Sequence, residues 1–202
     1  MHTSGAGRSS LGRMTFSAGE AGRPQQLVAA ARDLANETGS AAFTVAQLTG
    51  RAGLSLKAFY ACFQSKDDLL LALLAEDSRL GADALVDRVG DRTGDDALRT
   101  YVSELFDMVA IPGAIGYAGV LVREYRRLTE VHDDELRDAL APLVDLLASY
   151  LDSDDPKRDA RTMFAMLLDG IHDVVVGRAT DAQELARYLT TFCLSGIGGG
   201  PR

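Results

Sequence analysis

Residues 44–70 read TVAQLTGRAGLSLKAFYACFQSKDDLL, and this stretch decides the fold class. Thr44 precedes an apolar-periodic run and Gln47 follows three residues later, a spacing typical of a capping box at the start of a helix. Gly53 allows the chain to leave that short helix with a positive φ angle. Because Ser55 then caps another short helix, the stretch predicts two short helices joined by a tight turn, which is the arrangement of a helix-turn-helix.

The flanking residues place this motif between two further helices. Ser65 and Asp68 repeat the capping-box spacing and predict the start of a long, leucine-rich helix. Upstream, Arg23 and Pro24 indicate the start of a helix, since proline suits the first helical turn, and Gly39 indicates its end. The helix-turn-helix is therefore predicted to belong to a three-helix domain that leads directly into a long fourth helix.

The remaining sequence is helical in pattern, with neither strand alternation nor an internal repeat. Pro142 lies inside one of the expected helices, so that helix is either kinked or begins at residue 141. The fold class is predicted to be all-α with about nine helices, and those beyond residue 90 are expected near 95–110, 114–129, 133–152, 157–177 and 181–195.

Composition is that of an ordinary soluble globular protein: 202 residues, 47% hydrophobic and 25% charged. Every apolar run is shorter than the roughly 18–20 residues that a helix needs to cross a bilayer. The first residues lack the apolar region of a secretory signal. We therefore expect a cytoplasmic protein with no membrane partner. Cys62 and Cys193 are far apart, which supports neither a disulfide framework nor a zinc site.

Charge divides the chain into a basic head and an acidic body. The first 66 residues hold seven lysines and arginines against three acids, whereas the rest hold 14 against 26. This asymmetry indicates that contact with nucleic acid is confined to the head. The predicted domains are a disordered arm (1–22), the helix-turn-helix head (23–66), a ligand-binding and dimerisation body (67–196) and a frayed tail (197–202).

The segment from Thr44 to Leu70 resembles the DNA-binding signature of the TetR family of bacterial repressors. The matching features are the opening threonine, the turn Ala52-Gly53-Leu54-Ser55, the aromatic pair Phe59-Tyr60, and Ser65-Lys66-Asp67 with Leu69. This resemblance covers about the first third of the chain. It implies a ligand-responsive regulator, in the family's usual case a repressor, that binds a palindromic double-stranded DNA operator as a homodimer and is released by a small molecule.

The resemblance also implies DNA-binding roles for seven residues. Three would contact phosphates: Thr44 at the start of the second helix, Tyr60 on the third, and Lys66 at the start of the fourth. Four occupy positions that face base edges in the major groove, where lysine can donate to guanine and an apolar side chain can contact the thymine methyl group. These four are Ser55, Leu56, Lys57 and Ala58.

The predicted recognition helix is poor in hydrogen-bond donors. Lys57 is the one base-facing residue able to donate to guanine, and Ala61 and Cys62 stand where family members often carry histidine, arginine or tyrosine. DNA shape, or an arm carrying Arg8 and Arg13, is therefore expected to contribute. An alternative stays open: an activator or interaction protein that retains the helical scaffold with little autonomous sequence-specific DNA binding.

The body is expected to surround a cavity for an unidentified small-molecule effector, and its last two helices, about 157–177 and 181–195, are expected to form the homodimer interface. The three histidines have no metal-ligand spacing, and no motif of a nucleotide cofactor or catalytic nucleophile is present, so neither enzymatic activity nor a cofactor is predicted. The candidate ligand-binding residues are Phe106, Met108, Tyr117, Val120, Arg123, Tyr125, Met163 and Met166.

Overall fold

The computed structural model describes residues 22–111 and 113–197. Within these ranges the chain forms nine α-helices and no strands, which confirms the predicted fold class. Apart from Gly22 and Ile197, the predicted arm and tail lie outside the described residues. The helices are α1 (Arg23–Thr38), α2 (Val45–Ala52), α3 (Leu56–Cys62), α4 (Lys66–Val89), α5 (Gly94–Ala110), α6 (Ala114–Thr129), α7 (Asp133–Ala148), α8 (Pro156–Val175) and α9 (Ala182–Ile197).

The predicted caps set the boundaries of the head helices. The Gln47 amide donates to Thr44 Oγ1 at 3.2 Å, and the Thr44 amide donates to Gln47 Oε1 at 2.8 Å, which completes the capping box of α2. Gly53 has a φ of 65° and ends α2. The same reciprocal bonds join the residues at the start of α4, while the Ser55 hydroxyl alone caps α3. The helix-turn-helix is therefore fixed by local hydrogen bonds.

Two hydrophobic clusters form the interior, and α4 belongs to both. The first cluster packs α1, α2 and α3 against the first half of α4, with Leu48, Phe59 and Leu69 each 0% exposed. The second packs α5, α7, α8 and α9 around the last turns of α4, where Leu85 and Val89 are fully buried. The long helix therefore positions the head relative to the body.

The helix α7 runs through Pro142 without ending there. The alternative start at residue 141 is therefore wrong. The helix also ends at Ala148, before the expected 152, and the amides of Tyr150 and Leu151 bond to carbonyls three residues back in a tighter turn. This turn leads into Asp155, whose carboxylate caps α8.

A sharp break separates α5 from α6, and Gly113 lies in it with a φ of 93°. Together the two helices are long and apolar enough to cross a membrane, but they are bent by 111° at this break. No single helix in the described part of the chain has that length and apolarity.

Candidate nucleic-acid interface and sensing region

The recognition helix α3 presents one exposed face. Leu56 and Tyr60 are 50% and 61% exposed, and Lys57 is also exposed, whereas Phe59 is completely buried. Phe59 is held by an edge-to-face contact with the Tyr60 ring at 5.1 Å and by Phe63 at 5.9 Å. Burying one aromatic ring therefore fixes the helix and turns the predicted DNA-contacting side chains outward.

Two further predicted base-facing residues, Ser55 and Ala58, lie at the start of the same helix. The Ser55 hydroxyl accepts a hydrogen bond from the Ala58 amide at 3.2 Å, so it stabilises the helix start. Thr44 is exposed at the start of α2, and its hydroxyl donates to Gln47 Oε1 at 3.1 Å. Both hydroxyls remain on the surface but already act as helix caps.

Lys66 has a different environment from the one expected of a phosphate contact. Its side chain is half-buried, its Nζ donates to the Ala41 carbonyl, and the same atom lies 4.6 Å from the centre of the Phe43 ring. Burial lowers the pKa of the Lys66 ammonium. In this conformation Lys66 joins the start of α4 to the chain segment before α2, and a phosphate contact requires it to leave these partners.

A polar cluster that the sequence analysis missed joins α1, α4 and α6. Arg32 donates to Asp77 Oδ1 through Nε and Nη2 at 3.0 and 2.7 Å, and its Nη2 lies 3.3 Å from Glu76. The Tyr117 hydroxyl donates to the other oxygen of Asp77. Burial, and then the Asp77 charge, raise the pKa of Tyr117. Tyr117, which was predicted to contact the ligand, thus takes part in the contact between the head and the body.

Two arginines of α6 extend this connection. Arg123, another predicted ligand residue, is exposed and donates to the Gly39 carbonyl at the end of α1 at 2.6 Å. Arg127 donates to both carboxylate oxygens of Asp67, in the first turn of α4. The helix α6 therefore contacts both α1 and the start of α4 through charged hydrogen bonds.

In the described part of the chain, the predicted ligand residues lie in separate places. Val120 is buried in the first hydrophobic cluster and Phe106 in the second, and Met108 is partly buried beside the second. Tyr125 lines a cleft of about 180 Å³ between α6, α7 and α8. Met163 and Met166 line a separate hollow of about 400 Å³ between α8 and α9.

That second hollow adjoins an exposed aromatic pair on α9. Tyr188 and Phe192 are 65% and 57% exposed, and their rings stack with centroids 6.5 Å apart. Phe192 also lines the hollow. Large exposed aromatic side chains on adjacent turns are typical of a surface that is covered by a partner.

Comparison with known proteins agrees with this arrangement. The family model described as bacterial regulatory proteins, tetR family, matches residues 27–73. The match begins in α1 and ends within the first half of α4, so it includes the whole helix-turn-helix. No curated protein matches the chain by sequence.

Solved structures share the fold over nearly the whole chain. A TetR transcriptional regulator from Rhodococcus sp. RHA1 has a TM-score of 0.72 at 16% identity, over 89% of this chain and 100% of that one. FadR from Bacillus subtilis, solved in complex with stearoyl-CoA, has a TM-score of 0.67 at 19% identity, over 86% and 98%. RolR in complex with the ligand resorcinol has a TM-score of 0.63 at 16% identity, over 89% of each chain. The head of the chain therefore matches the family model of bacterial regulatory proteins, tetR family, over residues 27–73, and the described chain has the fold of these solved structures.

Proposed function

We propose that this protein is a dimeric transcriptional repressor of the TetR family that binds a palindromic operator through α3 and is released by a small-molecule effector. The observation that carries the proposal is the exposed face of α3, where Leu56, Lys57 and Tyr60 project from a helix anchored by Phe59. An exposed short helix held by a capped turn is the geometry that enters the major groove. Lys57 supplies the donor to a guanine edge, and Leu56 supplies an apolar contact for a thymine methyl group.

Dimerisation is proposed to occur through α8 and α9. Tyr188 and Phe192 expose a stacked aromatic surface beside the hollow lined by Met163 and Met166. Pairing with a second copy would remove this surface from water, and a two-fold axis would place two α3 helices on two half-sites. Phe192→Glu is expected to yield a monomer in sedimentation equilibrium. Val86→Glu, which charges a 50% exposed side chain on α4, is the matched control and should leave the dimer intact.

Effector release is proposed to act through α6. This helix binds the end of α1 through Arg123 and the start of α4 through Arg127, and it lines the cleft between α6, α7 and α8. An effector that prefers one orientation of α6 would shift the spacing of the two heads, and DNA would weaken effector binding by the same factor. The structural neighbours FadR and RolR, solved with stearoyl-CoA and resorcinol, give precedent for small-molecule ligands.

Selection of bound sequences from random duplex DNA tests the proposal. A repressor of this kind enriches a two-fold symmetric motif, and the affinity for that motif falls as salt rises. Retention without an enriched motif would instead support the alternative of a regulator with little autonomous sequence recognition, which the single base-facing lysine of α3 favours.

Variants of α3 then test its role on the selected motif. Lys57→Gln is expected to cost about 1–3 kcal/mol of binding if it donates to a guanine edge, and to relax selection at that base pair. Tyr60→Phe is expected to weaken binding about fivefold through the loss of one phosphate hydrogen bond. Arg99→Gln removes an exposed charge on α5 and is the control, with unchanged affinity. Equal affinities for all four proteins would contradict the proposed interface.

A further inference from the structure

The cleft between α6, α7 and α8 has an apolar interior. Leu136 and Phe164 are 2% and 4% exposed, and Leu140 and Val144 are partly buried beside them. Its volume of about 180 Å³ is below the ~300–1,000 Å³ of pockets for drug-sized ligands. The space therefore suits a small organic molecule, or one end of a longer molecule, with an apolar surface.

Some of the charged side chains that line the cleft have a counter-ion nearby, and one has none among the described residues. Arg137 is ion-paired with Asp133, and Asp145 lies 3.8 Å from the ammonium of Lys157. Arg161, on α8, also lines the cleft, and its guanidinium makes no hydrogen bond or ion pair with any residue in the described ranges. Both aspartates of the cleft thus have a cation nearby, whereas the Arg161 guanidinium is available to a negative group.

A second polar side chain lines the same space. Tyr125, on α6, lines the cleft, and within residues 22–111 and 113–197 its hydroxyl makes no hydrogen bond. The Thr129 hydroxyl, one turn later, already donates a hydrogen bond to the Tyr125 carbonyl at 2.8 Å. A guanidinium and a phenol without partners among the described residues, together with an apolar interior, match a carboxylate attached to a hydrocarbon or aromatic body.

We infer that this cleft is the effector site and that its ligand is a small amphipathic organic anion, in particular a carboxylate. Arg161 binds the carboxylate, and the apolar part of the ligand packs on Leu140 and Phe164. The inference rests on the proposed function, because it assigns the site and the chemical class of the effector that releases the operator.

The position of the cleft explains how occupancy would reach the head. Tyr125 and Thr129 line it from the last turns of α6, and Arg127, between them in sequence, binds Asp67 at the start of α4. A ligand that displaces these turns of α6 acts on that ion pair directly. The start of α4 follows the recognition helix α3 after only three residues.

Titration with defined probes tests the site. Benzoate and octanoate are each compared with the uncharged amide of the same skeleton, and dissociation constants are measured by ligand-observed NMR on the full chain. Arg161→Gln removes the proposed anchor. Arg158→Gln, one turn earlier on α8, removes an exposed arginine that lines the other hollow, and it is the matched control. Both substitutions are at exposed positions, so the fold is expected to persist.

At least one carboxylate is expected to bind wild-type protein and the Arg158→Gln variant with equal affinity, and to bind Arg161→Gln about tenfold or more weakly. Arg161→Lys should retain part of the affinity, and the amides should bind weakly and equally to all four proteins. Equal carboxylate affinity for wild type and Arg161→Gln, or the absence of saturable carboxylate binding, would overturn the inference.

The two proposals fail in different ways. DNA retention is measured on the same proteins without probe, where Arg161→Gln is expected to behave as wild type. If DNA binding is intact and the carboxylate titration fails, only the assignment of the cleft is overturned. If the carboxylates bind through Arg161 but no DNA is retained, the cleft is a ligand site and the repressor proposal is overturned.

Discussion

Arg127, in the last turn of α6, donates to both carboxylate oxygens of Asp67, in the first turn of α4, at 2.6 and 3.1 Å. Two parallel N–H···O bonds of this kind fix orientation as well as distance. A cation near the end of one helix and an acid near the start of another each complement the dipole of their own helix. The pair therefore defines where α6 sits against the beginning of α4.

Removing either partner of this pair should destabilise the fold modestly. Because both side chains are partly exposed, Arg127→Met and Asp67→Asn are each expected to lower the free energy of unfolding by about 0.5–1 kcal/mol. The double variant should lose less than the sum, and urea unfolding of the four proteins gives the coupling energy. The pair Arg137–Asp133, four residues apart on α7, is the control with a smaller expected coupling. Strict additivity at Arg127 and Asp67 would contradict the assigned contact.

The same pair predicts a pH dependence. The Arg127 guanidinium holds the pKa of Asp67 below its ordinary value, so the unfolded chain takes up a proton at this carboxyl more readily than the folded chain does. The contribution of Asp67 is fully present near neutral pH and is lost as the pH falls through the ordinary range of aspartate and then through the lowered pKa. Stability measured between pH 7 and pH 3 should fall less steeply in Arg127→Met than in the wild type. An unchanged slope would contradict this assignment.

Tyr117→Phe should be more costly than its chemistry suggests. The substitution removes only a hydroxyl, but that hydroxyl donates to Asp77 inside the cluster with Arg32. We expect a loss of about 1–2 kcal/mol in the free energy of unfolding, since hydrogen bonds to charged groups contribute more than neutral ones. Tyr60→Phe removes the same group from a 61% exposed ring and should leave stability unchanged. Equal unfolding midpoints for the two variants would contradict the proposed role of Tyr117.

Gly170→Ala tests the close approach of α8 to its neighbours. A Cβ atom at Gly170 would lie 2.6 Å from Leu189 Cδ1 on α9 and 3.1 Å from Phe106 Cζ on α5. Overpacking of this degree in a closely packed interior is expected to cost about 1–3 kcal/mol. Gly116→Ala, on α6 with nothing within 4 Å of the added atom, should instead stabilise the protein by up to about 1 kcal/mol because alanine favours the helix. Thermal unfolding of the two variants should shift in opposite directions.

The head could be predicted from sequence because its determinants are local. Thr44 and Gln47 bond to each other within one helical turn, and Gly53 ends α2 through its own positive φ angle. Residues that interact over such short distances along the chain can be identified from their spacing in the sequence.

The connection between head and body could not be predicted in this way. Arg32 and Asp77 are 45 residues apart, and no spacing rule joins them. Arg123 could be interpreted as a solvent-exposed or a ligand-binding residue, yet it binds the Gly39 carbonyl 84 residues away. Lys66 was expected to face DNA because its family position indicated so, whereas the nearby Ala41 carbonyl and Phe43 ring hold it within the head.

The candidate ligand pocket was the least predictable part. A buried Phe106 and a cleft-lining Phe164 occupy similar apolar patterns in sequence, and only the packing of neighbouring helices separates them. No pattern in the sequence marked Arg161 as a ligand-binding residue. It is a candidate because its guanidinium has no partner among the described residues. A missing ion pair is a property of the assembled structure.

Because α4 is buried at both of its ends, head and body should unfold in a single cooperative transition. Leu69 belongs to the interior of the helix-turn-helix and Leu85 to that of the larger domain, yet one uninterrupted run of helical hydrogen bonds joins them. Melting of either domain alone would leave half of this helix without its packing. The free energies of opening measured by amide hydrogen exchange near Leu69 and near Leu85 should therefore be equal. An operator bound at one end or an effector bound at the other would then raise the melting temperature of the whole chain.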